Sequence, residues 1–251
     1  MIIKYVSEHV PEWCVLFCYK FLRVFTAWIP YKFKSRSRRS GNNLQEGQDG
    51  YIEDQKLLGM LPYGNSTASY AGCGAVAVYN ALLGMGVETK ITDVIDWLER
   101  HSLVSGGKLG SLPSRVVGFF ENRQFVDANS MEAVRIDCRK VPLKKVENSC
   151  IAGADAVIAA VQNNIHDLRD GIHILAITKT GVGMNAASGI EAASGIDNGS
   201  VSESTVWEAH NTGGGKLVGE SPEDVLGRLN NGKSRTLFFC VLCKSCVYTN
   251  P

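Results

Sequence analysis

The sequence has no surplus of charge of either sign. It contains 26 Lys and Arg residues against 25 Asp and Glu residues, which gives a net charge of +1. The first forty residues carry a net charge of +6, which leaves −5 for residues 41–251. Because the larger part is acidic, a protein that binds nucleic acid through a general positive charge is excluded, and no nucleic-acid partner is expected.

The sequence also lacks an uninterrupted hydrophobic run long enough to cross a membrane. Its most apolar stretch, residues 13–29, is broken by Lys20 and Arg23, which share one face of a helix. Together with the basic run that follows, residues 13–39 predict an amphipathic helix in peripheral contact with a membrane, since lipid headgroups are anionic. Two alternatives stay open: a helix packed against the rest of the protein, and a prosegment lying across its cleft.

No cleavable signal peptide is expected, because Glu8 and Pro11 fall where an apolar segment is needed. The eight cysteines are therefore expected to be free thiols in a reducing compartment. The predicted location is the cytoplasm, with residues 13–39 as the segment that would associate with a membrane.

Composition divides the chain into three parts. Residues 1–34 form the amphipathic, basic N-terminal segment, and residues 35–50 are polar and rich in Gly, Ser and Asn, as is typical of a linker. Residues 51–251 contain enough apolar material for one core and are expected to form a single folded domain.

Hydrophobic spacing, caps and glycine stops predict the secondary structure of this domain. Helices are expected at 73–83, 92–101, 112–121, 153–164 and 222–230, and strands at 131–138, 172–179, 204–210 and 234–243. Helices come first and strands dominate the second half. The expected fold class is therefore α+β, with a cleft where the two halves meet.

Cys73 is the candidate nucleophile, because it lies between two glycines at the start of the apolar helix predicted at 73–83. Free amides and the helix dipole at that position stabilise a thiolate, which is the reactive form of cysteine. Gly72 and Gly74 are expected to let a carbonyl substrate approach, and the Cys73 amide to face a developing oxyanion. The alternative is a small apolar cysteine packed in the core.

His173 is the candidate base for this thiol. It opens the apolar strand predicted at 172–179, and the rigid start of a strand suits a group that must hold within about 3 Å of its partner. His210, at the end of the next strand, is a rival for the same role.

Asn211 is the candidate that would orient the imidazole, since its side-chain oxygen can accept a hydrogen bond from a ring nitrogen. Glu208 and Asp197 are weaker candidates. An Asn before Thr-Gly-Gly-Gly is also typical of a turn, in which its side chain bonds its own backbone.

The ordered array NSTASYAGCGAVAVYNAL, GIHILAI, VWEAHNTGG, SPEDVLGRL and LFFCVLCK resembles the C39-like branch of papain-like cysteine peptidases found in bacteria. The resemblance covers about residues 55–245 and implies a papain-like fold, in which the cysteine helix packs on an antiparallel sheet. It implies the roles of nucleophile for Cys73, base for His173 and orienting residue for Asn211. Such peptidases remove leaders from exported peptides, often at a membrane transporter, so a peptide or protein substrate and no cofactor are implied.

The sequence departs from this family in its oxyanion donor. Papain-like enzymes usually carry a Gln about six residues before the cysteine, where this chain has Thr67. Asn65 and Thr67 are the candidate replacements, together with the Tyr70 hydroxyl; loss of one such donor costs about two to three orders of magnitude in rate. Two other functions therefore stay open: a weak or inactive module that holds a peptide without cutting it, and a cysteine-dependent amidase or acyltransferase.

A metal site is the remaining hypothesis, because Cys240, Cys243 and Cys246 have a spacing found in zinc and iron–sulfur sites. In an apolar strand, however, alternation sends Cys240 and Cys243 to opposite faces. No fourth ligand follows in the sequence, so no metal is predicted.

Overall fold

The computed structural model describes residues 50–103, 107, 109–141, 151, 153–164, 171–183, 204–213 and 215–246. The N-terminal segment predicted at 1–34, its membrane contact and all of the linker except Gly50 lie outside these residues. No helix within the described ranges is both long enough and apolar enough to cross a membrane.

Helices and strands alternate in blocks along the described chain. The helices are α1 (Ala68–Ala71), α2 (Cys73–Gly84), α3 (Ile91–His101), α4 (Pro113–Val116) and α5 (Pro222–Arg228). The strands are β1 (Pro62–Tyr63), β2 (Ser66–Thr67), β3 (Gln124–Val126), β4 (Ala133–Lys140), β5 (Ala156–Gln162), β6 (Ile172–Gly183), β7 (Ser204–His210), β8 (Leu217–Gly219) and β9 (Arg235–Cys246). Short 3₁₀ turns occupy Gln55–Leu58, Val117–Phe119 and Leu229–Gly232.

Seven of these strands form one antiparallel sheet in the order β3-β4-β9-β5-β6-β7-β8. The last strand of the described chain, β9, therefore lies inside the sheet, between β4 and β5. Strands β1 and β2 form a separate two-stranded ribbon. The combination of helices with an antiparallel sheet confirms the expected α+β class.

Strand β5 corrects one prediction, since residues 153–164 were expected to form a helix. All seven residues of β5 are buried. Ile158 and Ala160 belong to the core that includes α2 and α3, while Val157 and Ala159 belong to a second core on the other face of the sheet, which includes α5. A strand covered on both faces has no polar–apolar alternation, so its Ala-rich sequence resembles a buried helix.

Helix α2 lies along β6 and positions Cys73. Ten of its twelve residues are buried, so it packs on nearly all sides. At its end Gly84 lies against Thr178 of β6, where a Cβ atom on residue 84 would collide with the threonine side chain. The eleven helical steps from Cys73 to Gly84 and the five strand steps from His173 to Thr178 both span about 16 Å, so the first residue of α2 meets the start of β6.

Candidate active site

Cys73 is the first residue of α2 and is 9% exposed. Its sulfur is hydrogen-bonded to the His173 side chain, and the backbone amides of Ile174 and Gly74 also bond to it. Burial by itself raises the pKa of the Cys73 thiol, but the hydrogen bond and charge of His173, helped by the two amides, outweigh burial. The pKa of Cys73 therefore lies below the ordinary value of a thiol, and the sulfur favours the thiolate form.

His173 is half-buried in β6 and bonds two partners. Its Nε2 donates to the backbone carbonyl oxygen of Asn211 over 2.6 Å. Because a carbonyl only accepts, Nε2 carries a proton and Nδ1 is left to face the thiol. Burial lowers the pKa of His173, but the bond and charge of Cys73, with the Asn211 carbonyl, outweigh burial and raise the pKa above its ordinary value.

Asn211 lies beside His173 as predicted, but the atom that contacts the imidazole is the backbone oxygen and not the side-chain amide. The side chain turns to Gln55 instead: its Oδ1 accepts from the Gln55 backbone amide at 2.9 Å, and its Nδ2 donates to Gln55 Oε1 at 3.2 Å. The Asn211 backbone has a φ of 63°, a left-handed conformation in which Asn is favoured among residues other than Gly.

Gln55 is the residue of this site that sequence reasoning missed. Its Nε2 donates to the carbonyl oxygens of Ser69 and Tyr70, at 3.1 and 3.3 Å. Gln55 thus joins Asn211 to the segment that enters α2. It lies 18 residues before Cys73 and follows the linker, so its position relative to the cysteine carries no family signal.

Of the three oxyanion donors predicted from the sequence, Tyr70 is 75% exposed. Asn65 is exposed, and Thr67 precedes α1 with its Oγ1 hydrogen-bonded to Ser69 Oγ at 2.9 Å. No hydrogen bond joins either residue to Cys73 or His173. The backbone amide of Cys73 is the first in α2 and therefore has no acceptor within the helix, which leaves it as the candidate donor.

Gly72 and Gly74 allow close packing around the start of α2. A Cβ on residue 74 would lie 3.0 Å from Val116 Cγ2 and 3.1 Å from Ser111 Cβ, both in the interior. A Cβ on residue 72 would collide with the carbonyl of Ala68. These glycines let Ser111, Ala68 of α1 and Val116 of α4 approach the start of α2, and the expectation that they open a path for substrate stays a prediction.

An open cavity of about 540 Å³ reaches the thiol–imidazole pair at His173. Gln55 and Ser69 line it on the helical side, and Asn211 lines it on the sheet side. Two lysines, Lys56 and Lys233, also face this cavity, and both are exposed. His173 is therefore accessible from a cleft between the two halves of the fold, whereas the buried Cys73 is not among the residues that line it.

His210, the rival base, lies where it cannot serve as one. It is 1% exposed, and both of its ring nitrogens are occupied. Nδ1 bonds Glu53 Oε1 at 2.7 Å, and Nε2 bonds Thr178 Oγ1 at 2.8 Å. Glu208, a weaker orienting candidate, pairs with Lys216 at 2.8 Å, and Asp197 lies outside the described residues.

One group of metal-ligand type occurs within the described ranges: Glu53, Glu208 and His210, whose ligand atoms lie within 4.8 Å of one another. Its charges are already met, because His210 donates to Glu53 and Lys216 pairs with Glu208. We assign no metal to it.

The cysteines of β9 do not gather into a ligand set. Cys240 belongs to the core that includes α2, and Cys243 packs against the core on the other face of the sheet, as alternation predicts. The side chain of Cys246 lies outside what the structure describes.

A buried thiol beside an imidazole, with a carbonyl that fixes the ring and free amides near the sulfur, has the parts of a nucleophile with its base. Such a pair can attack a carbonyl carbon and hold an acyl group as a thioester. Among known proteins, no family model, curated protein or solved structure matches this chain.

Proposed function

We propose that the protein is a cysteine peptidase of papain-like fold, which hydrolyses peptide bonds with Cys73 as nucleophile and His173 as base. The observation that carries the proposal is the hydrogen-bonded series from the Cys73 sulfur through His173 to the Asn211 carbonyl. The lowered pKa of Cys73 and the raised pKa of His173 both shift the pair toward its thiolate–imidazolium form.

In the proposed reaction the Cys73 thiolate attacks a peptide carbonyl, and the oxyanion faces the Cys73 amide. The His173 imidazolium gives its proton to the leaving amine, which leaves an acyl-enzyme. His173, now neutral, takes a proton from water, and the hydroxide equivalent releases the acid and restores the thiol–imidazole pair. Throughout, the Asn211 carbonyl holds Nε2 and so keeps Nδ1 directed at the sulfur.

The polar cleft supports a peptide substrate over a small apolar one. Two exposed lysines, Lys56 and Lys233, line it and can donate hydrogen bonds to the backbone carbonyls of an extended peptide. The same Cys–His pair would also serve an amidase or an acyltransferase. If the pair is inactive, the protein would be a module that holds a peptide without cutting it.

The reactivity of Cys73 with iodoacetamide, followed by peptide mass spectrometry from pH 5 to 10, tests the pair without a known substrate. We expect half-maximal alkylation of Cys73 well below the ordinary thiol pKa of about 8.5, and a shift up to that value in His173→Ala. Cys243 is an internal control, because burial raises its pKa and its profile should not respond to His173→Ala. A Cys73 profile that matches an ordinary thiol in the unmodified protein would rule out the peptidase in favour of the holding module.

The products then separate the enzyme classes. The protein and its Cys73→Ser variant are incubated with a mixture of tryptic peptides, and new termini are sought by mass spectrometry. Termini that form only with Cys73 support a peptidase. Hydrolysis of side-chain or small-molecule amides without new peptide termini would identify an amidase. If a small amine is added to the mixture, acyl adducts on that amine would identify an acyltransferase.

A further inference from the structure

Glu53 contacts both Asn211, whose carbonyl accepts from the imidazole of His173, and the preceding residue, His210. Its Oε1 accepts from His210 Nδ1 at 2.7 Å, and its Oε2 accepts from the backbone amide of Asn211 at 3.4 Å. Because a carboxylate only accepts, Nδ1 of His210 carries a proton. Glu53 therefore holds both the side chain before Asn211 and the Asn211 amide itself.

His210 is fixed on every side. Its ring stacks on Tyr51, with centroids 3.9 Å apart and planes inclined by 13°. Its Nε2 bonds Thr178 of β6, the residue against which Gly84 of α2 packs. With 1% exposure and two hydrogen bonds, the ring has one orientation available to it, and Glu53 is held by that ring.

Asn211 needs such support. A left-handed backbone is strained for a residue other than Gly, so it persists where neighbours impose it. Glu53 engages the amide of Asn211, Gln55 engages its side chain, and its carbonyl meets His173. A small rotation of this residue would turn the carbonyl away from Nε2.

We infer that Glu53 and His210 form a positioning pair, which fixes the Asn211 carbonyl against His173 and thereby keeps the imidazole directed at Cys73. This inference rests on the proposed function. Neither residue of the positioning pair is hydrogen-bonded to Cys73 or His173. The pair acts through the backbone of Asn211.

Other charged groups near the pair are few. Glu208 lies within the same 4.8 Å group as Glu53 and His210 but is paired with Lys216, and it makes no contact with the Asn211 amide. The group that faces His173 directly is Cys73. Glu208 therefore offers a control, since its carboxylate lies within 4.8 Å of a His210 ring nitrogen but bonds Lys216 instead of His210 and Asn211.

The test is the iodoacetamide profile of Cys73 in Glu53→Gln against Glu208→Gln. The two bonds use different oxygens of Glu53, and glutamine replaces one of them with an NH2 group that cannot accept, so the bond from His210 or from Asn211 is lost. We expect half-maximal alkylation in Glu53→Gln to move up by about one pH unit, which lowers the rate by up to about tenfold at pH values below the original midpoint and leaves the rate at pH 10 unchanged. Glu208→Gln should keep the original profile.

A second pair of variants guards against simple loss of folding. In His210→Asn the amide nitrogen occupies the place of Nδ1 and still donates to Glu53, whereas His210→Ala removes the donor. The asparagine variant should keep most of the reactivity at pH 6, and the alanine variant should resemble Glu53→Gln. Thermal unfolding checks that each variant is folded.

The outcomes separate this inference from the proposed function. A low-pH profile in the unmodified protein that is unchanged in Glu53→Gln, or changed equally in Glu208→Gln, overturns the positioning pair and leaves the peptidase standing. Equal loss in His210→Asn and His210→Ala also overturns it, because retention of the donor would then not matter. An ordinary thiol profile in the unmodified protein overturns the peptidase first.

Discussion

At the scale of single residues, the candidate site depends on a balance between burial and pairing. Burial alone would raise the pKa of Cys73 and lower that of His173, so that both groups would be neutral. Their mutual hydrogen bond and charge reverse both directions. Because each group depends on the other, a change that turns the His173 ring away from the sulfur should return the pKa of Cys73 and the pKa of His173 to the directions set by burial.

Asn211→Gly tests which atom of Asn211 orients the ring. Glycine keeps the backbone carbonyl and adopts a φ of 63° without strain, although it loses the two bonds to Gln55. We expect the rate of Cys73 alkylation at pH 6 to stay within about threefold of the unmodified protein, since each lost part-buried hydrogen bond to Gln55 contributes about 0.5–1.5 kcal/mol to stability and neither bond touches the pair.

Asn211→Ala is the matched comparison for this prediction. It also lacks the amide, but its Cβ opposes the left-handed backbone by about 1–2 kcal/mol, so it should be less reactive than the glycine variant. A large and equal loss in both variants would show that the side-chain amide is what matters, as in the original sequence hypothesis.

The residues that sequence reasoning found share a property that Glu53 and Gln55 lack. Cys73 opens a helix and His173 opens a strand, and those positions are readable from local patterns. Glu53 and Gln55 act through contacts with residues more than 150 positions later, and nothing in their own neighbourhood indicates this. Their roles follow from the tertiary fold, which brings the start of the described chain against the end of β7.

At the scale of elements, the same contrast separates the helices from the sheet. Helix α3 has a clear apolar stripe and was predicted nearly to its ends, at 92–101 against Ile91–His101. The segment 153–164 was misassigned because β5 is covered on both faces, a fact that depends on α2 on one side and α5 on the other. Hydrophobic periodicity distinguishes a helix from a strand only when one face of the element is exposed to solvent. It gives no signal for an element that is buried on all faces.

Gly84→Ala tests the packing of α2 on β6. An added Cβ would collide with Thr178, so helix and strand must separate or strain, and we expect a loss of about 1–3 kcal/mol in the free energy of unfolding by urea. Gly227→Ala is the matched control, because Gly227 is an exposed position of α5 with nothing within 4 Å of its Cβ position. That variant should gain up to about 1 kcal/mol from helix propensity.

Thr178→Ser refines this experiment, since it removes the colliding methyl group but keeps the hydroxyl that bonds His210. Combined with Gly84→Ala it should recover part of the lost stability. If Gly84→Ala is as stable as Gly227→Ala, the Thr178 contact does not set the distance between α2 and β6.

At the scale of the whole molecule, the fold closes through its most distant segments. Strand β9, last in the described sequence, lies inside the sheet and pairs with β4 and β5. Lys244 of β9 donates from Nζ to the Met85 carbonyl just after α2 and to Asp127, 117 residues earlier, each at 2.6 Å. The sheet is therefore complete only after β9 has been placed, and Lys244 joins it to the helical layer.

Asp127→Asn tests this connection through the pH dependence of stability. The hydrogen bond from Lys244, then the amides of Ser130 and Asn129, hold the pKa of Asp127 far below its ordinary value. A carboxyl group whose pKa is lowered by folding stabilises the fold. The contribution is complete at pH values above the pKa of the unfolded chain, about 3.9, and declines as the pH falls below that value. We therefore expect Asp127→Asn to lower the melting temperature clearly at pH 7, and by a smaller margin at pH 3. Glu132 is an exposed carboxylate near the same turn, so Glu132→Gln should change neither melting temperature. If Asp127→Asn lowers the melting temperature equally at both pH values, the ionised carboxylate is not what holds Lys244 of β9 to the helical layer.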